Sequence, residues 1–93
     1  MSIFSFPEDP VWNEERESVE FPVEVGEFHG LVIIPRRIVH NLLGGRPSPE
    51  LCVEYCFVHR MEFERITEIK IRARELNEDA NILITGKDIR RAS

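Results

Sequence analysis

Ser18-Val19-Glu20-Phe21-Pro22-Val23-Glu24-Val25-Gly26-Glu27-Phe28-His29-Gly30-Leu31-Val32-Ile33-Ile34 reads as a β-hairpin. Residues 18–25 alternate polar and apolar, the period of a strand with one face in water. Gly26-Glu27 suits a two-residue turn with glycine at its first central position. That turn sets Val25 opposite Phe28, Val23 opposite Gly30, Phe21 opposite Val32 and Val19 opposite Ile34. All four pairs share one face, and a slip of one residue would turn the apolar set into water. The return strand is apolar on both faces, so part of the face bearing Leu31 and Ile33 is expected to be covered. Pro22 donates no ladder bond, which places residues 18–25 at a sheet edge or turns the proline nitrogen outward.

Before the hairpin, Ile3, Phe4, Phe6, Val11 and Trp12 mix with Pro7, Pro10 and many acids. Residues 1–17 therefore read as an extended arm whose aromatics can fold over the Leu31/Ile33 face. After the hairpin, Pro35 and Gly44-Gly45 bracket a short helix over 35–43, with Ile38 and Leu42 towards the sheet. Ser48 is an N-cap, Pro49 the first helical residue, and Glu50 suits the positive helix end. They open a helix that runs to about residue 76. Cys52, Tyr55, Cys56, His59, Phe63, Ile66 and Ala73 fall on one stripe, and Val53, Phe57 and Met61 lie opposite, so the first half is apolar nearly all round. At 1.5 Å per residue the helix 48–76 would be about 43 Å long, against a domain diameter of roughly 30 Å. It either kinks near Arg60 or has its surplus apolar surface covered by another copy, and self-association is the preferred reading. Residues 81–85 read as a last strand, and Thr85 to Asp88 as the cap of a final turn. The expected architecture is α+β: one domain over 1–93, with a three-stranded, mainly antiparallel sheet and helices on one face.

The composition, 42% hydrophobic and 31% charged, is that of an ordinary globular chain. No apolar run approaches the 18 or so residues of a membrane span, and no basic, apolar leader opens the chain. A cytoplasmic location without membrane association is the expectation. The net charge of −5 is unevenly spread, since residues 1–28 carry eight acids against Arg16 alone. Arg16 is expected to pair with one of those acids and fix the arm. Such an acidic edge repels phosphate and counts against a general nucleic-acid binder.

Phe6-Pro7, Trp12, Arg16-x-x-Val19-x-Phe21, Gly26, Ile34 and Gly44 form a scattered pattern. It continues with Arg60-x-x-Phe63-x-x-Ile66 and Ile82-Leu83-x-Thr85-x-x-Asp88. With these residues the chain resembles the small bacterial proteins of the domain of unknown function 1488 family along nearly its whole length. It departs from that pattern at Pro35, Cys56 and Thr67. The resemblance implies a small α+β domain with a short antiparallel sheet and carries no activity with it.

Candidate chemistry is sparse. Cys52, Cys56 and His59 offer thiolate and imidazole, good zinc ligands, but three ligands on one helix face converge poorly. A buried core cluster is the preferred reading, with a metal or thiol-redox site as the alternative. No cofactor is expected. Arg60, Arg65, Arg72 and Arg74, with Lys70, make a basic half-helix, but interleaved acids at i, i+4 give it the character of a solvated face. A nucleic-acid contact there, helped by Arg36 and Arg37, is the alternative. No group of residues has the makings of a catalytic site. The expected function is therefore a non-enzymatic, self-associating interaction or regulatory module, most simply a homodimer. Leu31, Ile33, Phe57 and Met61 are the candidate contact residues.

Overall fold

A computed structural model describes residues 3–92. Met1, Ser2 and Ser93, the ends of the expected domain 1–93, lie outside the described residues. Along the chain run β1 (Phe4–Ser5), β2 (Val11–Asn13), β3 (Ser18–Val25), β4 (Phe28–Pro35), α1 (Arg36–Leu43), α2 (Pro49–Val58), α3 (Arg60–Arg72), β5 (Ile82–Leu83) and α4 (Gly86–Ala92). The fold is α+β, with a mixed, mostly antiparallel sheet.

The hairpin has the register that its alternation dictates: Val25 pairs with Phe28, Val23 with Gly30, Phe21 with Val32 and Val19 with Ile34. Gly26 turns at φ +60°, in the left-handed region that costs glycine least. β5 adds to β4 in parallel, through Val32 with Ile82 and Ile33 with Leu83.

The sheet has five strands rather than three, because the arm contributes two. β2 pairs with Glu20, Val19 and Ser18, and β1 with Val25 and Glu24, both antiparallel to β3. The two pieces leave Pro22 between them. Leu31, the partner of Pro22 on β4, donates its N–H to Asn81 on the far side. The missing donor of Pro22 therefore faces the interval between β1 and β2, where no ladder bond is needed. The arm thus lies along the β3 edge, in the sheet, and not across the Leu31/Ile33 face.

One face of the sheet builds the core. Val19, Phe21, Val23, Val32, Ile34 and Ile82 pack with Ile38 and Val39 of α1, Cys52 and Cys56 of α2, and Phe63 and Ile66 of α3. α1 buries Ile38 and Val39, whereas Leu42, expected to face the sheet and one turn further along the same side, is exposed. On the other face, Glu20 is buried: its carboxylate accepts from Arg16 (2.6 and 2.8 Å), Ser18 (2.8 Å) and Asn13 (3.2 Å). Burial pushes the Glu20 pKa up, but these donors outweigh it and hold the carboxyl below its ordinary value. Arg16 does fix the arm, through Glu20.

The helix expected over 48–76 is two helices. The chain leaves helical geometry at His59 (φ −99°, ψ 22°) and resumes at Arg60. No glycine or proline causes the break. Arg60 instead reaches back to the arm, donating to the carbonyls of Phe6 (2.8 Å) and Glu8 (3.1 Å) and to the carboxylates of Asp9 and Glu64 (both 2.7 Å). Its guanidinium also lies 5.9 Å from the centre of the Phe21 ring. The molecule measures 37 × 27 × 25 Å, shorter than an unbroken helix of about 43 Å. The helix is kinked next to Arg60.

α4 is tied down by a buried ion pair. Lys70 of α3 donates to Asp88 at 2.8 Å, and Asp88 also accepts from the Thr85 N–H (2.8 Å) and hydroxyl (3.0 Å). The Asp88 N–H bonds back to the Thr85 hydroxyl at 3.3 Å, a capping box with aspartate in the glutamate position. Lys70 therefore lies inside the molecule and not on a solvated basic face.

Candidate functional site

α2 starts where its sequence says it should. The Ser48 hydroxyl accepts from the Leu51 N–H at 3.2 Å, and Pro49 occupies the first turn. A helix apolar on every side must find cover on every side, and α2 finds it on one. Cys52 and Cys56 are fully buried against the sheet, and Val53 and Tyr55 pack partly into the same core. The opposite side carries Leu51 and Val58, seven residues and so two turns apart, with Phe57 beside Val58. Val58 is 69% exposed and Phe57 55%.

The break at His59 completes this surface. His59 stacks on Tyr55, with ring centres 4.3 Å apart. The turn that carries Arg60 inward to the arm and Phe63 into the core leaves Met61 outside, 83% exposed. Phe57, Val58 and Met61 thus form an apolar corner where α2 meets α3. Glu54, Glu62 and Arg65, each within four residues of one of these positions, are exposed as well.

The other residues singled out from sequence divide clearly. Phe57 and Met61 are on the surface as expected, whereas Ile33 is buried and Leu31 half-covered. Ile33 is hidden because it lies between Glu20 of β3 and Leu83 of β5 in the sheet. Leu51 and Val58 join the exposed side without having been expected there, although their seven-residue spacing marks a shared face. Val53, expected on the outer side, packs against the core.

Burial pushes the Cys52 thiol pKa up, an effect partly offset by Arg36, and pushes Cys56 up to about 12. Both are protonated at neutral pH, whereas the nucleophilic and metal-binding form is the thiolate. Among the described residues no three His, Cys, Asp or Glu side chains converge as a metal site. Of the four arginines of the basic half-helix, Arg65, Arg72 and Arg74 are exposed and Arg60 is partly covered. Arg60 is engaged with the arm, and Arg72 lies over the Phe4 ring at 5.1 Å. No helix among the described residues is long and apolar enough to cross a membrane.

Comparison with known proteins gives a family without an activity. No curated protein matches the chain. A crystal structure of a protein of unknown function from the DUF1488 family of Shewanella loihica PV-4 superposes with a TM-score of 0.80 at 15% identity. It covers 90% of this chain and 94% of that one. At that identity the likeness is one of fold. The sequence model described as "Protein of unknown function (DUF1488)" matches residues 4–84, from the start of β1 to just past β5. The chain belongs to the DUF1488 family.

Proposed function

We propose that this protein is a non-enzymatic interaction module that self-associates through the α2–α3 corner, acting as a small regulatory or accessory protein. The observation that carries the reading is the exposure of Phe57, Val58 and Met61 within five consecutive positions. The core does not need them, since Cys52, Cys56, Phe63 and Ile66 already close it. An apolar cluster rimmed by charge is the ordinary mark of a contact surface. Glu54, Glu62 and Arg65 put both signs of charge within four residues of it. A surface that faces its own copy across a two-fold axis must be self-complementary, and mixed charge meets that condition without a like-charge clash.

The alternative, a nucleic-acid regulator working through residues 60–74, has less support because Arg60 and Lys70 are engaged inside the molecule. A thiol-redox or metal function at Cys52, Cys56 and His59 has less still, because its thiols are buried and protonated.

Light scattering across a concentration series tests the proposal. The wild-type mass rises to that of a dimer, and the double variant Phe57→Asp/Met61→Asp stays monomeric with unchanged circular dichroism. A wild-type mass that remains monomeric throughout contradicts it.

A further inference from the structure

From the basic cleft at the start of α1 we infer an anion site for a phosphorylated small molecule, independent of the apolar corner. The cleft is open, about 290 Å³ in volume, and lined by Arg16, Arg36, Arg37, His40 and Arg46 with Glu17 as its one acid. This concentration of positive charge occurs in a chain of net charge −5. Two of the arginines are held in place by other bonds. Arg16 is clamped on Glu20. Arg36 donates twice to the Pro47 carbonyl, at 2.6 and 2.9 Å, and stands 3.4 Å from Glu17.

These bonds shape the cleft. Arg36 ties Pro47 to the start of α1, and Arg46, one residue earlier, lines the cleft together with Arg37. The side chains of Arg37, His40 and Arg46 have no hydrogen bond or ion pair among the described residues. The first turn of α1 has no side-chain cap and no acid of its own; Glu17 meets its start, its carbonyl accepting from the Arg36 N–H at 3.0 Å. Unengaged guanidinium groups offer paired N–H donors matched to phosphoryl oxygens. The mouth of the cleft is open, so a phosphoryl group can reach these guanidinium groups from solvent.

A built-in reporter lies beside the site. Trp12, the sole tryptophan, has the Arg36 guanidinium 5.7 Å from its ring centre. The test is calorimetric titration of the full chain with pyrophosphate at low salt, with Trp12 fluorescence read in parallel. Saturable heat is expected, with a fluorescence change at the same midpoint, and Arg37→Glu/Arg46→Glu should weaken affinity at least about tenfold while leaving circular dichroism intact. Absence of pyrophosphate binding, or binding that the double variant retains unchanged, overturns the inference. So does binding of a single-stranded oligonucleotide by a protein that ignores pyrophosphate, since that assigns the cleft to a polymer backbone.

Discussion

Arg60 and Asp88 do structural work that neither residue type announces. The Arg60 guanidinium serves two carbonyls and two carboxylates at once, three of them on the arm. A lysine ammonium cannot reproduce that planar fork. Arg60→Lys is expected to cost about 2 kcal/mol in urea denaturation and to speed amide exchange in β1 and β2 before the rest of the sheet. Removing Asp88 leaves the Lys70 ammonium buried without its partner and uncaps α4. Asp88→Ala is therefore expected to cost about 3 kcal/mol. Burial raises the Asp88 pKa, but Lys70 and Thr85 outweigh it and the net shift is downward. The unfolded chain then binds the proton more tightly than the folded one. The stabilisation is complete above the ordinary carboxylate pKa of about 4 and is lost as the pH falls through the lowered folded value. A shallower acid limb in the pH–stability curve of Asp88→Ala checks this. Cys52 and Cys56 should react with a thiol reagent far more slowly in the native protein than in denaturant. Apart from the Thr85–Asp88 cap and the Arg60–Glu64 pair, these roles are not local. The Arg60 partners on the arm lie 51 to 54 residues away, and in sequence Lys70 is one more cation in a basic run.

At the scale of the element, period decides what can be read. β3 and β4 each span eight residues, long enough for alternation and a glycine turn to fix the register by themselves. Gly26→Ala tests that reading, since an L-residue at φ +60° is expected to cost about 1 kcal/mol. The loss should appear in denaturation with the sheet signal otherwise intact. β1 and β2, two and three residues long, carry no period at all. They exist because the hairpin edge offers unpaired backbone on either side of Pro22. The break between α2 and α3 is likewise hidden in the sequence, because the signals that stop helices are glycine and proline, and this one is made by the pull of Arg60 towards the arm. The apolar excess of α2 is plain in its residues. Which side of it stays outside is not, because that follows from where the sheet and the arm sit.

For the whole molecule, two surfaces stand apart: a basic cleft at the start of α1 and an apolar corner between α2 and α3. The core between them is complete without either. Association through the corner is the claim on which the proposed function rests, and its geometry can be interrogated one residue at a time. Both native cysteines are buried, so a single introduced cysteine provides an accessible thiol at a chosen point. The most direct measurement is the rate of oxidative dimer formation by Phe57→Cys, Val58→Cys and Met61→Cys, set against a control in the exposed 78–80 turn, Glu78→Cys. Residues near a two-fold axis meet their own copies, so at least one corner variant should form covalent dimers well ahead of the control. If all three cross-link no faster than Glu78→Cys, the corner does not face a second copy of the chain.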